Sequence, residues 1–469
     1  MAAPGNTKLD RSIVEGPIPA AVWRIAWPTM VQNMIGGLQG VIDHALVGNF
    51  VGFAANAAIG VSWQMFLVVM VFVSSLFIGM GALAARFAGK GDREQVNRVI
   101  YQAFITANAL AFLVLAPVGF FATPWLLTLV HASDAVRHEA TPFLRIMFTC
   151  SIGMMLFFML GGALRAAGDA KTPLRLGVMM TVLNIILNVI LVRGLGPIPA
   201  LGTTGAAMGT CIASATVGLF AIRQLWAGAW VVSFKGLPSY RPDWEVIRQL
   251  FAFGLPAGVQ GIAMNVAGVF LLRFIGSLAL SAESQAAWSV GYTELFSFIT
   301  WTSVGLMGAS STVAGQNLGA GHPDRAAQAA AAAAKLGVMV AAFFGALFLI
   351  MPRVLLGIFG MTVGASSDIA VELLRYLALS GFFITVALSY TGALQGTGDT
   401  RSPLFISIIS QIIVPLGICT VIQSMGTLEA RHIWTAVVCG HFTRALLSVL
   451  RFRQGKWRAI EVKLGSARA

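Results

Sequence analysis

The sequence predicts an all-α integral membrane protein: twelve transmembrane helices in two six-helix lobes, related by a pseudo-two-fold axis along the membrane normal. Three observations carry that expectation. Of the 469 residues, 57% are hydrophobic and only 10% are Asp, Glu, Lys or Arg, where an ordinary soluble domain carries roughly 25% charged residues. The apolar residues also cluster into segments long enough to cross a bilayer, which takes about 20 residues of helix. Finally, segments recur at a constant offset, which makes the chain an internal duplication. A mean hydropathy of +0.81 excludes disorder, collagen and disulfide-rich secreted scaffolds.

The twelve spans fall at 21–47, 57–86, 99–121, 141–164, 173–192, 204–226, 248–273, 285–313, 329–350, 369–394, 403–424 and 432–450. Basic residues concentrate in alternate gaps, with Arg86, Lys90, Arg93 and Arg98 after the second span and Arg165, Lys171 and Arg175 after the fourth. Arg223, Lys235, Arg241 and Arg248 follow the sixth, and Arg451, Arg453, Lys456, Arg458, Lys463 and Arg468 follow the last. The opposite gaps carry mostly single cations: Arg193, Arg353 and Arg431. By the positive-inside rule both termini face the cytoplasm. That rule also accounts for the net charge of +13, since the basic residues lack the aromatic interleaving of a nucleic-acid site. The N-terminal stretch lacks the regions of a signal peptide.

The repeat is read from two independent pieces. Gly162-Ala163-Leu164-Arg165-Ala166-Ala167-Gly168-Asp169-Ala170-Lys171-Thr172-Pro173 returns as Gly392-Ala393-Leu394-Gln395-Gly396-Thr397-Gly398-Asp399-Thr400-Arg401-Ser402-Pro403. Gly89-Lys90-Gly91-Asp92-Arg93 returns as Gly319-Ala320-Gly321 with Asp324-Arg325 close behind. Six spans per repeat make the halves parallel. The expected division is a lobe at 1–230, a cytoplasmic linker at 231–245, and a second lobe at 246–469 with a basic tail. Thr172-Pro173 and Ser402-Pro403 read as an N-cap followed by proline at the first helical position. Pro28 and Pro256 occupy matched places in spans 1 and 7, where each removes a backbone bond and permits a hinge. The run Ala326 to Ala334 reads as close helix packing.

Scarce charge makes each intramembrane acid informative. Of 18 acidic residues, only Asp43 in span 1 and Glu294 in span 8 lie away from gaps and span ends. An ionisable group there costs at least about 2.5–3.5 kcal/mol, so both are candidates for binding a proton, an ion or a cationic substrate. Asn184 and Asn188 are spaced i, i+4 on span 5 and project from one face, while Gln39 lies one turn before Asp43. These five form the expected ion-coupling and substrate-binding set. Gln260 and Asn265 in span 7, and Thr210 in span 6, are further polar candidates. His44 points about 100° away from Asp43 around the helix. His441 and Arg444 approach the cytoplasmic boundary of span 12, and Asp169 and Asp399 read as turn organisers. No phosphate loop, HExxH, GxSxG or aspartate-rich element is present, so no enzyme is indicated and no catalytic residue is assigned. Cys150, Cys211, Cys419 and Cys439 show neither metal-ligand nor disulfide spacing, and no cofactor is expected. No gap between spans is long enough to house a nucleotide domain, so energy must come from an ion gradient or from another subunit.

Taken together, Ala26-Trp27-Pro28 followed by Asp43, the Gly162–Pro173 elbow, Leu183-Asn184-Ile185-Ile186-Leu187-Asn188, Val313-Ala314-Gly315-Gln316-Asn317-Leu318-Gly319-Ala320-Gly321 and the Gly392–Pro403 elbow resemble the multidrug and toxic compound extrusion (MATE) family of secondary transporters, over nearly the whole chain. The resemblance implies two lobes around a V-shaped cavity, alternating access, and export of organic, often cationic, compounds against H⁺ or Na⁺. It implies that Asp43 is the N-lobe coupling acid, with Asn184 and Asn188 beside it, and that Glu294 matches an acid of some members' eighth helix. The sequence departs from many relatives in placing Asn188 where they carry a carboxylate, and Met264 and Asn265 where one subgroup has an acid. Proton coupling through Asp43 is therefore the first reading. With Na⁺, Asp43 would be the metal ligand. The expected partners are small cationic or amphiphilic substrates and membrane lipids, with no nucleic acid, in a monomer at the inner (plasma) membrane. Two alternatives stand beside this: a lipid-linked oligosaccharide or lipid flippase, whose cavities carry several arginines, and a polytopic membrane transferase, which needs clustered acids or histidines at a membrane face.

Overall fold

The computed structural model describes residues 9–129, 133–195, 197 and 199–462. The first eight residues and the basic tail from 463, with Lys463 and Arg468, lie outside the described residues. Twelve helical runs contain the twelve sequence spans: α1 Ile18–Phe50, α2 Phe53–Lys90, α3 Arg93–Leu129, α4 Asp134–Thr149 with Ser151–Ala166, α5 Lys171–Arg193, α6 Gly202–Ala227, α7 Trp244–Gly276, α8 Ser281–Trp288 with Ser297–Gly319, α9 Pro323–Ile350, α10 Ala365–Gly396, α11 Arg401–Met425 and α12 Ala430–Arg453. Among the described residues, eight are long and apolar enough alone to cross a membrane, and α2 and α4 qualify as bent pairs; α4 bends by 52° at Cys150. Single π-helical turns interrupt α3 at Ala111–Leu115, α8 at Ser289–Leu295 and α11 at Ile409–Ile413.

The elbows that carry the sequence repeat have a common geometry. Gly168 and Gly398 adopt φ of 98° and 95°, a region open to glycine at no steric cost. The cap differs from the expected Thr172-Pro173 and Ser402-Pro403 arrangement. Asp169 accepts from the amides of Lys171 and Thr172 at 3.1 and 3.0 Å, and Thr172 lies inside α5, donating its hydroxyl to the same carboxylate. Asp399 repeats this with Ser402 at 3.1 Å and is further held by Arg451 at 2.8 Å. A carboxylate two residues before the turn accepts more orphan amides than a hydroxyl does.

Contacts group the chain into two compact units, Met34–Gly258 and Arg11–Asn33 with Val259–Val462. The boundaries of these units therefore fall within α1 and α7. Each crossover follows soon after an intrahelical proline, Pro28 before Asn33 and Pro256 before Gly258.

In the first unit, the opening half of α7 packs on α2 through glycines: a Cβ on Gly79 would sit 2.4 Å from Leu250 O, and one on Gly254 2.6 Å from Ser75 O. The segment 228–243 is strapped onto α3. Asn97 Oδ1 accepts from the Ser233 amide, Gln102 donates to Arg241 O and accepts from the Asp243 amide, and Arg93 donates to Val231 O at 3.2 Å. Arg98 Nε donates to Asp243 at 3.0 Å, and Nη2 donates to the same oxygen. Val231, Val232 and Phe234 are buried, so the polar-looking linker is a docked element.

The second unit has the matching device. The opening half of α1 crosses α8 where a Cβ on Gly305 would meet Met30 N at 2.9 Å, and Asn33 donates to Trp301 O. The chain ahead of α1 is held by Arg325, which donates to Gly16 O at 2.5 Å and to Asn317 Oδ1 at 3.0 Å. Arg93 and Arg325, matched by the sequence repeat, thus perform the same task. α10 is the hub, packing against α8, α9 and α12. α9 meets it where Gly337 faces Thr385, Ala341 faces Gly381 and Gly345 faces Ala378, on a buried small-residue stripe that starts at Ala326.

Burial of Asp243 opposes its ionisation, but the Arg98 hydrogen bonds and charge and the Val246 and Glu245 amides outweigh it, holding the carboxyl below its usual range. A depressed carboxyl stabilises the fold above its unfolded pKa of about 4 and loses that contribution as pH falls through the folded value. Asp243→Asn is therefore expected to melt below wild type at pH 7. Thermal scans in detergent should show the gap closing as the buffer is acidified below pH ~4.

Candidate functional site

Among the polar residues singled out in the sequence, one set converges in the first unit. Three turns of α5 present Thr181, Asn184 and Asn188 on one stripe, because spacings of three and four residues share a helix face. The second half of α1 presents Gln39 and Asp43, one turn apart. The helices meet at both levels: Thr181 donates to Gln39 Oε1 at 2.9 Å, and Asn188 Nδ2 donates to Asp43 Oδ1 at 2.7 Å. Behind Asp43 the chain continues inward. Asn188 also reaches Asn184 Oδ1 at 3.3 Å, Asn184 donates to the Thr210 hydroxyl of α6 at 2.9 Å, and Thr210 donates to Ala206 O. Asn184, Asn188 and Thr210 are buried, whereas Asp43 is half-buried at the open end of this relay.

The relay is tightly built. Asn188 Oδ1 is sealed without a hydrogen-bond partner, and a Cβ on Gly209 would lie 2.0 Å from it. A methyl there displaces the amide that holds Asp43, so α6 needs glycine at this level. The amide network fixes which oxygen of Asp43 is bonded and leaves the other for a proton, ion or ligand. His44 lies toward α2, its Cε1 3.7 Å from where a Gly60 Cβ would be.

The remaining candidates lie apart from the relay. Glu294 belongs to the second unit, half-buried on the π-helical turn of α8, with no side-chain hydrogen bond or ion pair among the described residues. Gln260 is buried and donates to Ser407 at 2.7 Å, and Asn265 donates back to Gly261 O of its own helix. Gln260 thus ties α7 to α11, whereas the Asn265 bond stays within α7. Pro28 and Pro256 lie within continuous helices near the unit crossovers, and beside Pro28 the Thr29 hydroxyl donates to Ile25 O. Sequence reasoning missed Thr181 and Gly209. The i−3 spacing of Thr181 from Asn184 was the available signal for the first, and nothing in the sequence marks Gly209.

Among the described residues no group of three or more His, Cys, Asp or Glu is placed to hold a metal ion. An apolar cavity of about 360 Å³ between Val73, Leu115, Trp125 and Leu255 includes none of the candidate residues. Its walls are hydrocarbon, suited to lipid or an apolar body and not to an ion.

Comparison with known proteins agrees with this architecture. The MatE family model matches residues 28–190 and 256–420, one copy in each half of the chain. The chain is 24% identical to the probable multidrug resistance protein NorM of Thermotoga maritima, covering 92% of each, and 25% identical to the probable multidrug resistance protein YoeA of Bacillus subtilis, covering 97% of this chain and 99% of that one. It is 24% identical to the multidrug export protein MepA of Staphylococcus aureus, covering 93% and 96%. Its fold matches that of a MOP superfamily transporter from Pyrococcus furiosus with a TM-score of 0.88 at 20% identity, covering 97% of this chain and all of the other. With both repeats matched and the twelve helices in place, the chain is a multi-pass membrane protein that belongs to the MatE family of transporters.

Proposed function

We propose that this protein exports small organic cations or amphiphiles by alternating access, driven by inward movement of protons through Asp43. The observation that carries the reading is the Asp43–Asn188–Asn184–Thr210 relay. It holds a single intramembrane carboxylate in place through amides, leaving one of its oxygens to exchange a proton for a positively charged ligand. An acid retained inside a span at such cost needs a use, and coupling is the use a transporter has for it. The names of relatives such as MepA and YoeA support drugs as the cargo. Na⁺ is the second candidate ion, with Asp43 as its carboxylate ligand.

In this reading Pro28 and Pro256 are the hinges. Each lies just ahead of the residue where its helix passes between units, and a missing backbone bond is where such a helix bends at least cost. The residues act as binding and coupling groups, with no catalysis and no cofactor, in a monomer of the inner membrane with cytoplasmic termini. The test is expression in a drug-sensitive host. Resistance to cationic dyes should rise, and the gain should collapse when the proton gradient is dissipated; resistance that persists without the gradient contradicts the reading.

A further inference from the structure

The second unit contains a cluster that the coupling relay does not use. On α12, Trp434, His441, Arg444 and Ser448 recur at spacings of seven, three and four, along one helical stripe. Their exposures are 0%, 2%, 6% and 0%. Trp434 Nε1, His441 Nδ1, Arg444 Nε and Ser448 Oγ are each sealed without a hydrogen-bond partner. Arg444 makes neither hydrogen bond nor ion pair with any described residue. A guanidinium inside a span is normally paired, because desolvation of a lone cation is costly.

Facing it, the π-helical turn Ser289–Leu295 of α8 delivers Tyr292; such turns recur at functional sites because they re-aim one side chain. Tyr292 stacks on Trp288 at 4.0 Å and 8°, and Trp288 stacks on Trp434 at 5.6 Å. Phe296 completes the wall, 5.4 Å from Tyr292 and 5.9 Å from His441. Arg444 lies within electrostatic range of both Tyr292 and His441. Beyond the sealed Nε and Nδ1, Arg444 Nη, His441 Nε2 and Tyr292 Oη are unbonded among the described residues. Glu294, on the same turn, does not pair with Arg444.

We infer that Tyr292, His441 and Arg444 form an anion-accepting site that takes the oxyacid group of an amphiphile, a carboxylate, sulfonate or phosphate, while its apolar body lies against the half-buried Tyr292 ring. The guanidinium fork presents two parallel N–H donors to two oxygens of such a group, and the stacked rings of Trp288, Tyr292 and Phe296 close one side of the site. The site extends the cargo from cations to zwitterionic and acidic amphiphiles. It rests on the exporter reading only in naming the occupant as cargo.

The test is binding without any gradient, so its failure is distinct from failure of coupled export. The full chain in phosphatidylcholine nanodiscs is titrated calorimetrically with 2-naphthoate and with neutral 2-naphthamide. Wild type is expected to bind naphthoate roughly tenfold or more tightly than the amide. Arg444→Gln should bring naphthoate down to the amide's affinity, with Arg444→Lys retaining part of the preference. Should Arg444→Gln fail to fold, Tyr292→Phe keeps the ring and removes one donor, and it should weaken naphthoate alone. Repeating the titration with phosphatidylglycerol in the discs separates the sources. Competition identifies a lipid headgroup as an occupant and its absence a free solute, each through the same anion chemistry. Equal wild-type affinity for the two probes, or variants that weaken both probes equally, overturns the proposal.

Discussion

Asp43→Asn should reduce dye efflux from vesicles by roughly tenfold or more, equivalent to at least about 1.4 kcal/mol, while the protein remains in the membrane at wild-type abundance. The asparagine is nearly isosteric, and its side-chain oxygen accepts from Asn188 Nδ2 as the aspartate oxygen does at 2.7 Å. The relay to Asn184 and Thr210 is preserved, and so is the packing of α1 on α5. What disappears is the ionisable proton. Because a charge held within a span is costly to the fold, the variant should melt at or above the wild-type midpoint. Loss of transport without loss of stability separates a coupling role from a structural one. A variant that is both inactive and unstable would instead mark Asp43 as part of the fold.

The second large effect concerns the fold. Gly396→Ala should destabilise the second unit by about 1–3 kcal/mol or more, visible as a lower thermal midpoint and reduced abundance in detergent extracts. A Cβ at Gly396 would lie 2.0 Å from Ser311 O, and one at Gly392 2.1 Å from Met307 O. These glycines, four residues apart, let the backbones of α10 and α8 touch along two turns, the arrangement favoured where helices pack without a hydrophobic driving force. Backbone atoms on the opposing helix have no rotamer to escape into, so the helices must part. Since α10 also packs on α9 and α12, the separation spreads. By contrast, Gly417→Ala on α11 meets nothing within 4 Å and should behave as wild type.

Much of this architecture is written locally in the sequence, and what is written follows from the bilayer. Each of the twelve apolar runs lies inside an observed helix because a membrane leaves the backbone of a spanning segment little alternative to helix. Asp43, Asn184 and Asn188 stood out for the same reason: a polar group in hydrocarbon needs a partner, and each partner here is another of the few polar groups available. Where local signals fail, the determinant is distant in sequence. The transfer of the first halves of α1 and α7 between units depends on Gly305 meeting Met30 and Gly79 meeting Leu250, which no local pattern encodes. The strap at 228–243 reads as a tether because its docking rests on backbone groups satisfied by α3 side chains rather than by water. His441 and Arg444 lie close in sequence to the basic tail and read as boundary residues. Their burial comes sideways, from the stacked rings of α8, and one helix's sequence carries no information about its lateral neighbours.

The central claim is that one carboxylate, Asp43, couples export to protons. The most direct measurement is dye efflux by the purified protein in liposomes under separately imposed proton and sodium gradients, for wild type and Asp43→Asn. Wild type should transport under the proton gradient alone and not under sodium alone, and Asp43→Asn should transport under neither. Wild-type efflux driven by sodium without a proton gradient, or undiminished efflux by Asp43→Asn, would contradict the account.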